Sequence, residues 1–141
     1  MNRASIGLAG EESAALYLEK KGYVIKGRRV RIGHSEIDLI ACGGGCTVFV
    51  EVKTRRMYPE SAKMGRHSSP GAAVDSKKSA YLIRAAEEYI RSLGGNADGY
   101  FRIDVIEVYA DPDSNEYRVL EIRHTENAVR KKSGFSYRGY R

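Results

Sequence analysis

The chain has 141 residues, 42% of them hydrophobic and 30% charged, with a formal net charge of +6. Such a composition predicts one soluble globular domain with a single core, and it excludes a membrane-spanning chain, which needs an unbroken apolar run of about 20 residues. No apolar leader, internal repeat or low-complexity tract stands out, so a cytoplasmic protein with no membrane partner is expected.

In chain order, Ser5 to Lys21 reads as a helix whose Ala14, Ala15 and Leu18 can pack closely on a sheet, and Gly22 ends it. Glu11 lies mid-helix and can face either solvent, the usual fate of a helical Glu, or the carboxylates of the strands that follow. Tyr23 to Arg31 follows as a first strand; its Lys26, Arg28, Arg29 and Arg31 suit a solvated sheet edge, where charge blocks further pairing.

Residues 36–41 and 47–54 alternate polar and apolar side chains, the period of half-buried strands, and Cys42-Gly43-Gly44-Gly45-Cys46 between them is a turn by composition. With an even-membered loop, Asp38 faces Glu51 and Glu36 faces Lys53. All four then share one face, while Ile37, Leu39, Val50 and Val52 share the other. An odd loop pairs Asp38 with Val50 and mixes the faces, so the hydrophobic pattern favours the even register or a compensating bulge. Two cysteines without a second ligand pair make neither a disulfide framework nor a zinc site, and both read as reduced strand-end residues.

The segment 55–73 carries Arg55, Arg56, Lys63, Arg66 and His67 among Gly, Ser and Pro without periodicity, and reads as a mobile loop on the substrate side. His34 and His67 lack partners at ligand spacing and read as surface residues. A helix from Asp75 to Leu93 then shows an apolar stripe of Leu82, Ile83, Ala86, Ile90 and Leu93. Lys77 and Lys78 in its first turn have the unfavourable sign for a helix N-terminus; a cap by Asp75 or a docked phosphate would each account for them. Strands at Phe101–Tyr109 and Tyr117–His124 flank the turn Asp111-Pro112-Asp113-Ser114-Asn115. The order αβββαββ, with a long helix before the fourth strand, predicts an α/β mixed sheet with flanking helices.

Residues 1–129 thus form the single domain, and residues 130–141 a disordered tail. Arg130, Lys131, Lys132, Arg138 and Arg141 supply five of the six net charges with no acid among them, leaving one for the domain. With Phe135, Tyr137 and Tyr140, the tail suits phosphate contact and base stacking.

Opposed carboxylates with Cβ atoms roughly 5 Å apart destabilise a hairpin unless a pKa rises, water intervenes, or a cation sits between them. Mg²⁺ suits two carboxylates, keeping several waters and accepting phosphate oxygens. The residues alone equally allow an exposed polar sheet face with a cross-strand Glu36–Lys53 pair.

An acid on one strand and E-x-K on the next resembles the core motif of the PD-(D/E)xK nuclease superfamily, with its restriction-endonuclease-like fold. More closely, Gly10-Glu11-Glu12-Ser13-Ala14-Ala15-Leu16-Tyr17-Leu18, Lys21-Gly22-Tyr23, Glu36-Ile37-Asp38, Phe49-Val50-Glu51-Val52-Lys53-Thr54-Arg55, Ala73-Val74 with Lys77-Lys78, and Ile122-Arg123-His124-Thr125-Glu126-Asn127-Ala128 resemble the bacterial YraN-type endonuclease family. The similarity spans residues 7–129. Ser35 stands where that family usually has glycine, the segment after Arg55 is longer, and Ala72 replaces a common acid.

The resemblance implies a Mg²⁺- or Mn²⁺-dependent nuclease hydrolysing phosphodiesters, DNA rather than RNA. On that footing Asp38, Glu51 and Lys53 are catalytic, and Asp38, Glu51 and Glu11 hold the metal with the Val52 carbonyl. Glu36 supports the ligands or pairs with Lys53. Arg55, Arg56, Lys77, Lys78, Arg130, Lys131 and Lys132 contact nucleic acid. Resolvase-like relatives imply a homodimer on branched DNA. The alternative is a non-catalytic nucleic-acid-binding module that keeps the nuclease fold. A third reading, an acidic face that binds a basic protein, leaves Lys53, Lys77 and Lys78 unexplained.

Overall fold

The side chain of Asn2 accepts the Ser5 amide at 2.9 Å, which caps the first helix and starts it two residues ahead of the expected Ser5. A computed structural model describes residues 2–63, 76–94 and 101–129, and within them α1 spans Arg3–Lys20. The helix closes on Gly22 at φ 98°, where the Gly22 and Tyr23 amides donate to the Glu19 and Leu18 carbonyls at 3.0 Å each. That pair of bonds satisfies carbonyls the helix end leaves open, and only glycine takes this φ without strain.

Five strands follow: β1 Val24–Ile32, β2 Ser35–Gly43, β3 Cys46–Arg56, β4 Phe101–Ala110 and β5 Val119–Thr125. They form one sheet in the order β1-β2-β3-β4-β5, parallel only between β3 and β4. Between those two strands the chain forms the short α2, Pro59–Lys63, and α3, Ser76–Ser92. This is the mixed α/β arrangement expected of a restriction-endonuclease-like fold. Part of the expected loop 55–73 is regular after all: β3 continues to Arg56 and α2 follows. Arg56 is held because its guanidinium donates to the Pro112 and Ser114 carbonyls, tying the strand end to the β4–β5 turn. Residues 64–75, Asp75 among them, lie outside the described residues, as does the tail from Arg130 on.

The two faces of the sheet carry separate cores. Ala14, Ala15 and Leu18 of α1 pack on Leu39, Val48, Val50, Ile106 and Val108. The small residues let the helix lie close: a Cβ on Gly10 would sit 1.9 Å from the Thr54 hydroxyl. On the other face Leu82, Ile83, Ala86 and Ile90 of α3 meet Ile40, Phe49, Phe101 and Ile103. Phe49 stands edge-to-face with Tyr89 and Phe101 at 5.6 and 5.7 Å, and truncating it to alanine would cost roughly 3–5 kcal/mol. Leu93, expected on this stripe, is 64% exposed beyond the last turn.

The β2–β3 register is the even one. Gly44 and Gly45, at φ 61° and 76°, form a two-residue turn, with Gly43 opposite Cys46 and pairing maintained to Leu39 opposite Val50. Such a turn needs two left-handed residues, which glycine supplies freely. The expected faces, however, need one correction. Ile37 packs with Ile40 and Phe49 on the α3 side, whereas Leu39, Val50 and Val52 lie on the α1 side. The cause lies on β1. Arg29 takes φ 50° between the pairs Arg28–Leu39 and Val30–Ile37, so both strands change which face their alternate side chains address at the level of Asp38.

Candidate functional site

Beyond Leu39 and Val50 the two strands part, and Asp38 occupies the opening. Its Oδ2 accepts the Val52 amide at 2.8 Å, so a side chain takes the β3 donor just past the end of the β2–β3 ladder. One residue earlier on β3, Glu51 is 5% exposed on the α3 side. Lys53 Nζ stands 3.5 Å from Glu51 Oε2, and Lys78 Nζ, from the first turn of α3, stands 3.5 Å from the same oxygen. Asp38 and Glu51 line a cleft of about 230 Å³ whose walls include His34 just before β2, Glu36 at its start, and Lys78 and Tyr81 on α3.

Electrostatics mark Asp38 as the strained member. Burial pushes its pKa up to about 7; the Val52 amide works against that rise, while the charges of Glu51 and then Glu11 add to it. The like-charge repulsion expected of the opposed acids is therefore present, and Lys78 relieves only part of it.

The other expected site residues fall into three groups. Glu11 reaches the neighbourhood from α1 but is committed to Arg29, 3.0 Å away, and acts on Asp38 through its charge. Glu36 lines the cleft and is exposed; among the described ion pairs Lys53 is joined to Glu51 and not to Glu36. Arg55 donates to Glu107 Oε2 at 3.2 Å, which leaves its side chain 30% exposed, and Arg56 serves the β4–β5 turn. Lys77 is exposed. Arg130, Lys131, Lys132 and His67 lie outside the described residues.

Sequence reasoning missed two arrangements. Glu107, 5% exposed, faces Lys53 in the β3–β4 register and binds Arg55 and the Tyr109 hydroxyl, while its Oε1 has no partner among the described residues. On the α1 face, Asp104 is fully buried and collects His124 Nε2 at 2.7 Å, the Arg102 guanidinium through two bonds at 2.9 and 3.0 Å, and the Asn127 amide at 2.9 Å. Burial alone would raise its pKa, but the bonds from His124 and Arg102 hold it below the usual carboxylate value. Tyr17 meets the far nitrogen of His124 at 3.1 Å, tying α1 to β5. The His124 side chain is only 4% exposed, so this chain of bonds is a clamp within the fold and not a reaction centre. An acid inside the apolar run Ile103-Asp104-Val105-Ile106, with Arg102 two residues before it, is the signal that could have revealed it, because a buried charge must be paired.

Among the described residues no three His, Cys, Asp or Glu side chains converge to hold one ion. Asp38 and Glu51 are two carboxylates lining one cleft, and a hydrated Mg²⁺ or Mn²⁺ takes one or two protein carboxylates and keeps its remaining oxygens as water or substrate.

The model of Uncharacterised protein family UPF0102 matches residues 10–108, which include Glu11, Asp38, Glu51, Lys53 and Lys78. The chain belongs to this family. UPF0102 is the YraN-type family that the ordered motifs resemble. The chain is 43% identical over 123 residues to the UPF0102 protein STH1475 of Symbiobacterium thermophilum, covering 87% of this chain and 94% of that one. It is 41% identical over 129 residues to a UPF0102 protein of Caldicellulosiruptor saccharolyticus, covering 91% and 99%. Among solved structures it is similar to SfsA of Pyrococcus furiosus in complex with Ca²⁺, at 18% identity and a TM-score of 0.31, covering 82% of this chain and 58% of that one. No helix among the described residues is long and apolar enough to cross a membrane.

Proposed function

We propose that this UPF0102 domain is a Mg²⁺- or Mn²⁺-dependent nuclease that hydrolyses phosphodiesters, with DNA as the substrate. The observation that carries the reading is the cleft itself: Asp38 and Glu51 from adjacent strands line it, and Lys53 stands 3.5 Å from Glu51. Burial raises the pKa of Asp38 first, and the neighbouring charges of Glu51 and Glu11 add to it, a repulsion that a bound cation would relieve. The preference for DNA rests on the resemblance to PD-(D/E)xK nucleases alone.

Asp38 and Glu51 hold the ion, which when bound polarises a phosphoryl oxygen and acidifies a water. The Val52 amide fixes the Asp38 carboxylate relative to β3, the strand that also carries Glu51 and Lys53. Lys53 places its ammonium beside the carboxylates, where it can donate to a phosphate oxygen as negative charge gathers on it. Glu11, held by Arg29, contributes charge from the opposite side. Arg55 and Lys77 offer further cations to the backbone of the nucleic acid.

Incubating the purified full chain with single-stranded, duplex, flapped and four-way-junction DNA, with Mg²⁺ or Mn²⁺ and with chelator, tests the proposal. Cleavage that chelator abolishes supports it. Binding without cleavage of any substrate at every metal concentration establishes the non-catalytic module instead.

A further inference from the structure

Glu51 Oε2 is shared by two ammonium groups that differ in how they are held. Lys53 follows Glu51 by two residues on the same strand and is 31% exposed. Lys78 arrives from α3, 47% exposed, on the wall of the cleft. Its position is costly for its own helix: the first turn of α3 has no acid, and the positive end of the helix dipole repels an ammonium there. The buried carboxylate offsets part of that cost, and a stronger cation at Glu51 would weaken this hold on the lysine.

A divalent ion bound to Asp38 and Glu51 is that stronger cation. It competes for the same oxygen and repels the neighbouring ammonium, and of the two lysines Lys78 is the one on a separate element with open cleft beside it. Resting on the metal-site reading above, we propose that Lys78 is a built-in competitor for the divalent-cation position, neutralising Glu51 in the metal-free protein and leaving its Oε2 when an ion binds. Once displaced, the ammonium remains on the cleft wall, where an anionic substrate can engage it. The ion and the substrate then favour one another's binding, and by linkage they do so equally.

Calorimetric titration of Mn²⁺ into the full chain without nucleic acid tests this on the wild type, Lys78→Met and Lys77→Met. The pair is half-exposed on its lysine side and contributes modestly, so Lys78→Met should bind Mn²⁺ roughly two- to fivefold more tightly than wild type. Lys77→Met, which removes the same charge one residue away, should match the wild type. In chelator Lys78→Met should melt below the wild type, and saturating Mn²⁺ should close the gap. Equal or weaker Mn²⁺ binding by Lys78→Met, with the wild type binding one ion, overturns the competitor role and leaves the metal site standing. If neither protein binds Mn²⁺, both readings fall.

Discussion

The Asp38 carboxylate accepts the Val52 amide at 2.8 Å, so the acid of β2 is fixed by the backbone of β3 one residue past Glu51. One hydrogen bond thus sets the relative position of the two carboxylates, and it separates two substitutions that look alike. In Asp38→Asn the amide oxygen can still accept from Val52 while the charge is gone. We expect no Mn²⁺ binding and a melting temperature at pH 8 no lower than wild type. Asp38→Ala also leaves the Val52 amide unpaired, which costs about 1–3 kcal/mol. Thermal melts beside calorimetry distinguish the two; a markedly destabilised Asp38→Asn would show that the charge itself supports the fold.

Glu51 and Lys53 should separate by what they do to binding and to rate. Glu51→Gln removes ligand charge and should abolish metal-dependent cleavage. Lys53→Ala should still bind Mn²⁺ but cleave roughly 10²–10³-fold more slowly, the usual loss for one donor to a developing negative charge. DNA affinity by anisotropy should survive both changes. If both variants cleave like the wild type, the activity comes from another site or a contaminant.

Metal affinity should depend on pH through Asp38. With a pKa of about 7, this acid is largely protonated at pH 6, and an entering ion must displace the proton. Affinity should therefore rise from pH 6 to pH 8 and level off above. The sign for the metal-free fold is opposite: because the folded pKa lies above the usual carboxylate value of 3.8, Asp38 favours the fold at low pH and that contribution fades as pH rises to about 7. Mn²⁺ titrations across this range check the first statement, and Asp38→Asn should flatten that part of the stability profile. An affinity unchanged between pH 6 and 8 contradicts both.

Deleting residues 130–141 removes five cations and no acid. DNA affinity should fall and its salt dependence flatten, by about 0.9 in the log–log slope for each duplex phosphate that the tail no longer neutralises. Fluorescence anisotropy over a salt series measures the slope, and an identical slope means that the tail touches no phosphate.

Much of the hairpin was legible in the sequence because parity constrains it. Only the even register keeps Leu39 and Val50 buried together, and Gly44-Gly45 supplies the turn that delivers it. Asp38 and Glu51 followed from that register. The change of face at Asp38 did not, because it depends on Arg29 adopting φ 50°, a conformation rare for arginine that the polar–apolar pattern does not signal. Lys78 was visible as a charge on the wrong end of a helix. Its partner was hidden because Glu51 and Lys78 meet only after the chain crosses between parallel strands. The pairing of Arg55 with Glu107 was hidden for the same reason.

The topology also gives the site a history within each synthesis of the chain. Two tight connections bring β1, β2 and β3 together using pairings close in sequence, whereas the β3–β4 pairing and the arrival of α3 close much longer loops. Short-range pairings form before long-range ones. Asp38, Glu51 and Lys53 thus belong to the part of the sheet built from local pairings, whereas Lys78 joins them only when the long crossover closes.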